Sequence, residues 1–381
     1  MRVLWVINSL AGGGAERVFS SLINASMQYR DRYDIDVALL DDDVEIYGLP
    51  DGISVHRLDC RYGLLRSVVR LNELAHRLRP DVTLSFLTRS NLAAAAAMLW
   101  RGRPFVISER VNTTAHLLTG RLGRASRAMV KLAYPRAARI IAVSEGVADT
   151  LVDDYAVAAD RIRVVPNPVD LESIQRQCRS APEIAVHPGD VVAMGRLVEN
   201  KNFSLAVRAF ARARDSGRLI LLGEGPLRAE LRKLGDDLGL ADRLVMPGFV
   251  KNPYAVISRC EFLVLSSNAE GFSNALVEAL ACGVPVVATD CRSSPAEILD
   301  VTSRPDALGV ASGKGGLLVP TNDEAAMVSA IEMLAEPESR SQLSRIGMER
   351  VSEFGVAAAV ERYWQVLAET LPRRDWKTAS I

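Results

Sequence analysis

Short apolar runs alternate with longer amphipathic stretches from one end of this chain to the other, and that rhythm constrains its fold most. RVLWVIN, YDIDVALL, DVTLSF, PFVISE, RIIAVS and RIRVVPN read as strands in the first half. DVVAMG, RLILLGE, RLVMPGF, CEFLVLSS, PVVATD and GGLLVP read as strands in the second. Many of these runs are continuously apolar, the pattern of parallel strands covered on both faces. Helical patterns of roughly 10 to 18 residues separate them. The expectation is an α/β fold with two doubly wound parallel-sheet domains. A length of 381 residues accommodates two domains of ordinary size. The rhythm breaks in PNPVDLESIQRQCRSAPEIAVHPGD, where prolines and a polar stretch intervene. The boundaries expected are therefore 1–180 and 181–355, with a final amphipathic helix in 356–381 carrying Val360, Tyr363, Trp364 and Leu367 at helical spacing.

Composition adds limits. The formal net charge is +0, so bulk charge predicts no partner. Its distribution is uneven: Arg57 to Arg139 holds 16 basic against 4 acidic residues. Five cysteines without a CxxC pair suit a reducing compartment better than a disulfide framework. MRVLWVIN enters a strand at once, with no secretory signal ahead of it, and LAAAAAMLW is too short to span a bilayer. These features favour a cytoplasmic location. Asp41-Asp42-Asp43 with Glu45 reads as a solvated acidic loop. With four histidines, none paired at ligand spacing, no metal site is expected.

The densest chemistry lies in EGFSNALVE, bracketed by Glu270 and Glu278. It follows the apolar run EFLVLSS and leads into a helix. A helix start offers unpaired N–H groups and a positive dipole end to a phosphate. Glu270, just before it, is placed to accept sugar hydroxyls, and Glu278, inside the helix, to hold a ribose. Ser273-Asn274-Ala275 offers amides to sugar or phosphate, or caps the helix through Ser273 or Asn274. Upstream, VVAMGRLVENKNFSLAVRAF is a strand, a turn and an amphipathic helix. Arg196 and Lys201 stand at the strand's carboxyl end, where a guanidinium fork and a mobile ammonium can neutralise a diphosphate. Near the N-terminus, NSLAGGGAERVFSSLI sets Gly12, Gly13 and Gly14 between a strand and a helix, an arrangement that lets amides approach a ligand. It is not a dinucleotide fingerprint, because Arg17 occupies the last glycine position.

Together these segments resemble the retaining glycosyltransferases of family 4. The pieces that carry the resemblance are GRLVENKN, LLGEGPLRAEL, LVMPGFV and EGFSNALVEALACGVPVVATDCRSSPAEIL, in the family's order and spacing. The likeness is specific over about residues 190 to 300 and looser before. It implies the GT-B fold, two facing Rossmann-like parallel-sheet domains with an interdomain cleft. It implies that Gly13 and Gly14 face the donor's phosphates, that backbone groups around Val250 read a uracil, and that Gly271, Phe272, Ser273, Asn274 and Glu278 belong to the donor site. It assigns Glu270, Arg196 and Lys201 to catalysis and sets Glu270 at the sugar hydroxyls. It sends the last helix back to the first domain.

The reaction implied is transfer of a hexose or N-acetylhexosamine from a UDP-sugar to a lipid-linked oligosaccharide or polysaccharide. Retention by front-face transfer fits a site with one good carboxylate, since glycosidases use two. Arg196, Lys201 and backbone dipoles would carry the leaving charge without a metal or other cofactor. On the acceptor side, Ser108, Glu109 and Arg110 follow a strand and are expected to point into the cleft. Family members often have a histidine where Arg110 stands, so no base role is assigned to it. GRLGRASRAMVKLAYPRAAR sets Arg124, Arg127 and Lys131 on one helical face, which reads as a membrane-surface element or as a solvated arginine face. No nucleic-acid partner is expected, because aromatics are not interleaved with the arginines. A sugar-nucleotide epimerase or a non-catalytic scaffold of the same architecture remain the alternatives.

Overall fold

The computed structural model describes residues 1–114, 123–213, 217–302 and 309–371. They fall into two compact units. One is Met1–Pro168 with the segment that begins at Val356; the other is Val169–Gly355. The division comes at the start of the proline-rich stretch, so residues 169–180 belong to the second unit and not, as expected, to the first. The physical reason lies in the helix Leu171–Cys178, capped by the Asp170 carboxylate, whose Ile174 is buried and which packs on helices of the second unit.

The first unit is a seven-stranded sheet: β1 (Arg2–Ile7), β2 (Asp34–Leu39), β3 (Ser54–Arg57), β4 (Val82–Phe86), β5 (Phe105–Glu109), β6 (Arg139–Ala142) and β7 (Ile162–Val164). Their spatial order is β3-β2-β1-β4-β5-β6-β7, every pair parallel. Helices α1 (Gly14–Ser26), α2 (Leu64–Leu78), α3 (Thr88–Trp100), α4 (Gly123–Ala133) and α5 (Glu145–Tyr155) connect them. Val3 to Ile7 are all 0 % exposed, as a central strand covered on both faces requires. The C-terminal helix Val356–Thr370 packs on α1 and completes this core. Its Tyr363 and Trp364 join Trp5, Phe19 and Phe86 in a cluster of stacked and edge-on rings with centroids 5.0–6.4 Å apart. Burying each such ring is worth about 1.5–3 kcal/mol. Trp364 Nε1 donates to Ser26 Oγ at 2.9 Å, which satisfies the one polar atom of that indole.

The second unit repeats this order over its first five strands and departs from it in the last two. Its strands are β8 (Val191–Met194), β9 (Leu219–Leu222), β10 (Leu244–Gly248), β11 (Leu263–Leu265), β12 (Val286–Thr289), β13 (Ala311–Gly313) and β14 (Gly316–Val319), in the order β10-β9-β8-β11-β12-β14-β13. Its helices are α6 (Leu171–Cys178), α7 (Phe203–Ala213), α8 (Arg228–Asp237), α9 (Pro253–Ile257), α10 (Asn274–Ala281), α11 (Ser294–Ile298), α12 (Glu324–Met333) and α13 (Pro337–Val351); the C-terminal helix is α14. Two strands escape the reading of apolar runs, and both are edges. β3 is half-polar Ser-Val-His-Arg, and β13 is Ala-Ser-Gly, which pairs antiparallel with β14. An edge strand has one neighbour and one wet side, so it needs no apolar run.

Among the described residues no helix is long and apolar enough to cross a membrane.

Candidate functional site

In a doubly wound sheet the strand order reverses at one point, and ligands bind outside the carboxyl ends of the strands there. In the second unit that point lies between β8 and β11. β8 ends at Met194, and the chain then runs Gly195-Arg196; β11 ends at Leu265, and the chain runs Ser266-Ser267 toward Glu270. The topology thus brings Arg196, Lys201 and Glu270 to one edge.

The side chains of Lys201 and Glu270 meet. Lys201 Nζ donates to Glu270 Oε1 at 2.5 Å, and Ser267 Oγ donates to the same oxygen at 2.7 Å. Glu270 is 9 % exposed. Ser267 is itself held, because Thr289 Oγ1 donates to its carbonyl at 2.6 Å from the end of β12. Ser266 Oγ donates to the Lys201 carbonyl at 3.0 Å, and Asn268 N–H to that of Asn200 at 2.8 Å, so the two loops are laced together. Behind them the Cys291 thiol is pushed up to about 12, by burial first and the Glu270 carboxylate second, and it stays neutral. Arg196 differs from its neighbours. It is exposed, and no side-chain hydrogen bond or ion pair engages its guanidinium among the described residues. The site therefore holds a pre-aimed carboxylate, an ammonium fixed beside it, and a guanidinium open to an incoming anion.

The loop carrying Arg196 is positioned by close backbone packing. Leu197 N–H donates to the Glu224 carbonyl at 2.9 Å, and Gly223 N–H to that of Gly248 at 2.9 Å. A Cβ on Gly223 would stand 2.1 Å from the Gly195 carbonyl oxygen, and one on Gly225 2.4 Å from that of Leu197. Only glycine fits such an approach. The motif LLGEGP thus works as a spacer beneath the Arg196 loop.

The helix start is more occupied than the sequence suggested. Ser273 stands at the N-cap of α10, yet its side chain makes no capping bond. Its N–H donates to Ser294 Oγ at 2.8 Å, and the two hydroxyls lie 3.1 Å apart. Asn274 N–H donates to the Phe272 carbonyl at 2.9 Å. The expected amide donors at 273 and 274 are therefore taken within the chain, because α11 packs its own N-terminal turn against this one. Phe272 is buried edge-on to Phe354 at 5.9 Å, Val250 is 7 % exposed, and Glu278 is 4 % exposed and engaged; Gly271 links Glu270 to this ring.

In the first unit the corresponding edge follows β1. Gly12 and Gly13 take φ of 122° and 140°, and Gly13 precedes the first residue of α1, Gly14. The Glu16 carboxylate folds back so that a Cβ on Gly13 would meet it at 2.4 Å, a negative charge where the helix dipole favours one.

At the end of β5 the expectation that Ser108, Glu109 and Arg110 point into a cleft is corrected. They are 0 %, 0 % and 5 % exposed. Glu109 Oε2 accepts from Tyr134 Oη at 2.6 Å, and Glu109 Oε1 from the Arg110 N–H at 3.1 Å. The Arg110 guanidinium donates to Tyr363 Oη and Asn167 Oδ1 and lies over the Phe86 ring at 5.5 Å. Ser108 Oγ and Tyr363 Oη lie 3.0 Å apart. Burial raises the Glu109 carboxyl above its ordinary value of 4.5 and lowers the Arg110 guanidinium. The sequence could not show this, because Tyr134, Asn167 and Tyr363 come from distant segments.

The acidic loop is corrected too. Asp41 is buried, ion-paired with Arg89, and accepts from the Tyr62 N–H at 2.9 Å. Asp43 accepts from Tyr62 Oη, while Glu45 and Arg57 pair at 2.5 Å. Among the described residues no group of three or more His, Cys, Asp and Glu could hold a metal ion.

Comparison with known proteins places this geometry in a family. Residues 188–336 match a family model described as glycosyl transferases group 1, and residues 12–173 match one described as glycosyltransferase family 4. The chain belongs to the family 4 type of glycosyltransferases. A Campylobacter jejuni relative, N-acetylgalactosamine-N,N'-diacetylbacillosaminyl-diphospho-undecaprenol 4-alpha-N-acetylgalactosaminyltransferase, is 28 % identical over 87 % of this chain and 89 % of its own. A second from the same organism, an alpha-1,4-N-acetyl-D-galactosaminyltransferase acting on a GalNAc-containing PP-undecaprenol, is 24 % identical over 97 % and 99 %. Among solved structures, Anabaena Alr3699/HepE in complex with UDP-glucose superposes with a TM-score of 0.76 at 21 % identity, covering 97 % of this chain and 100 % of that one. The two Rossmann-like units are those of the GT-B fold.

Proposed function

We propose that this glycosyltransferase moves a hexose or N-acetylhexosamine from a UDP-sugar to a lipid-linked oligosaccharide or polysaccharide acceptor, with retention and without a metal. The observation that carries this reading is the Lys201–Glu270–Ser267 cluster, with the exposed Arg196 on the same edge of the sheet. A carboxylate pinned by an ammonium and a hydroxyl presents its second oxygen to sugar hydroxyls. A free guanidinium on that edge matches a diphosphate bidentately. As the anomeric bond breaks, charge builds on the leaving phosphate, and Arg196 and Lys201 stabilise it; one such preorganised donor is worth on the order of 3 kcal/mol. The leaving phosphate takes the acceptor's proton, and the protein supplies position and counter-charge. Gly13 and Gly14 approach the donor's phosphates through their backbone, the backbone near Val250 reads the base, and Glu278 holds the ribose. The names of the two Campylobacter relatives support an undecaprenol-linked acceptor, and the ligand of Alr3699/HepE supports a uridine donor.

Lipid-linked acceptors also favour a place at the inner face of the cytoplasmic membrane. The layer of α2, α3 and α4 exposes Arg66, Arg70, Arg77, Arg124 and Lys131 together with Leu65, Trp100 and Leu132, with Arg103 exposed in the turn after α3; Trp100 is 86 % exposed. Leu122, part of the basic stretch in the sequence, lies outside the described residues. Each cation near an anionic leaflet adds about 1 kcal/mol. Vesicle co-sedimentation at low salt tests docking, and equal recovery with neutral and anionic lipid rejects it. The catalytic reading is tested by thermal shift against a panel of UDP-sugars, followed by transfer assays in excess EDTA. Stabilisation by one UDP-sugar and turnover that survives EDTA are expected. Indifference to every nucleoside-diphosphate sugar overturns the reading.

A further inference from the structure

The first sheet has a switch point of its own, between β1 and β4. Two side-chain pairs close its floor. Ser90 Oγ donates to Asn8 Oδ1 at 2.7 Å, and Arg89, in the first turn of α3, ion-pairs with the buried Asp41 from the turn after β2. Tyr62, two residues before α2, is tied to this floor at three points. Its N–H donates to Asp41 Oδ1 at 2.9 Å, its Oη donates to Asp43 Oδ1, and the Arg89 guanidinium stands 5.9 Å from its ring centroid. The ring is nevertheless 69 % exposed. A side chain that served only to cover the Asp41–Arg89 pair would lie buried against it.

The backbone is strained to keep the ring there. Asp59, Arg61 and Tyr62 take φ of 46°, 50° and 59°, whereas Gly63, the next residue, takes −87°. The left-handed conformation thus falls on residues that disfavour it and not on the glycine. Strain of this kind collects where a fold clamps a ligand.

The surroundings select the chemistry of that ligand. The Arg89 side chain is 17 % exposed and takes the inner face of the ring, which leaves the outer face to solvent. Arg57, Arg61 and Arg89 are each paired with a carboxylate, of Glu45, Asp59 and Asp41, while Asp43 has no cation among the described residues. An incoming phosphate would meet that unneutralised charge. Asp43 Oδ1 is used by Tyr62 Oη, and nothing among the described residues engages Oδ2. A flat aromatic face bordered by an open carboxylate oxygen suits a neutral pyranose, whose C–H face packs on the ring while a hydroxyl donates to the carboxylate. The same segment leads to the glycine loop. Ile46 N–H donates to the Leu10 carbonyl at 2.9 Å, and a Cβ on Gly12 would stand 2.9 Å from Ile46 Cδ1.

We propose that Tyr62 and Asp43 form a sugar-binding subsite of the first unit, with the ring as stacking platform and Asp43 Oδ2 as hydroxyl acceptor. Its occupant is a neutral pyranose of the saccharide acceptor. That the sugar is the acceptor's rests on the transfer reading above; the subsite rests on its own geometry. A ring already fixed by two hydrogen bonds and a guanidinium loses little freedom when a sugar lands on it.

The test is saturation-transfer NMR of the full chain with a panel of methyl α-pyranosides, methyl N-acetyl-α-galactosaminide among them, with and without saturating UDP. At least one member is expected to bind in both conditions. Its affinity should fall about tenfold in Tyr62→Ala and severalfold in Asp43→Ala, and Tyr62→Trp, which keeps a platform, should retain most of it. A role confined to holding the loop would move the melting temperature of these variants and leave the affinity of the folded chain alone. Unchanged affinity in folded Tyr62→Ala, or no binding by any member of the panel, overturns the proposal. Should Tyr62→Ala fail to fold, Asp43→Ala decides between the same outcomes. A pyranoside bound through Tyr62 in a chain that ignores every UDP-sugar keeps the subsite and removes the donor reading; stabilisation by a UDP-sugar with no pyranoside bound does the reverse.

Discussion

The two units share the order of their first five strands and use the ligand-facing edge in opposite ways. In Val169–Gly355 the edge at the switch point is polar, partly open, and ends in an arginine whose guanidinium is engaged by nothing among the described residues. In the first unit the end of β5 carries an equally charged set, Glu109 and Arg110, sealed under Tyr134, Asn167 and Tyr363. Charge on a strand's carboxyl end therefore does not by itself mark a ligand contact. What separates the two is satisfaction: Arg110 spends its fork on the protein, and Arg196 keeps its fork free.

That contrast can be broken by mutation. The largest effect is expected in the second unit. Glu270→Gln and Arg196→Ala should each lower turnover by about a hundredfold or more while leaving the melting temperature nearly unchanged. Near-normal initial rates in the folded variants would remove both from the reaction. Next comes Gly223→Ala, whose new Cβ meets the Gly195 carbonyl at 2.1 Å. It should cost about 3 kcal/mol in a denaturant melt and carry the Arg196 loop with it. Arg110→Ala should behave oppositely to Arg196→Ala, losing about 2–3 kcal/mol of stability because Asn167 and Tyr363 lose a buried partner. A stability loss no larger than that of Arg196→Ala would erase the distinction between the units. The smallest effect belongs to Glu109→Gln. A carboxyl raised above 4.5 in the fold leaves the natural chain fully stable at lower pH and weakens it as pH rises through the raised value. The variant does not titrate, so its melting temperature should gain on the natural chain as pH climbs above about 5 and lose that advantage in acid. A pH-independent difference would contradict the burial account.

The contrast also explains what the sequence made legible. Strands announce themselves as apolar runs where side chains on both faces are covered, and twelve were read this way, the edges β7 and β10 among them. The edges β3 and β13 were not, since each is short and part-polar. Arg196, Lys201 and Glu270 were legible because each follows directly on a central strand or its turn, where topology alone sets the position. The partners that fix them were not. Ser267, Thr289 and Cys291 sit one layer behind, and Ser294 takes the amide of Ser273; their roles depend on which loops touch, which no spacing encodes. The same blindness made Ser108, Glu109 and Arg110 look open and made Asp41 look solvated when Arg89 covers it.

The ring cluster under the first sheet has a consequence during synthesis. Trp5 and Phe86 are translated early, but Tyr363 and Trp364, which close over them, emerge only after all of Val169–Gly355 has been made. At ribosomal speed that is a delay of roughly ten to forty seconds. Through that interval the nascent chain carries an unfinished aromatic floor, which stays uncovered until the last helix arrives.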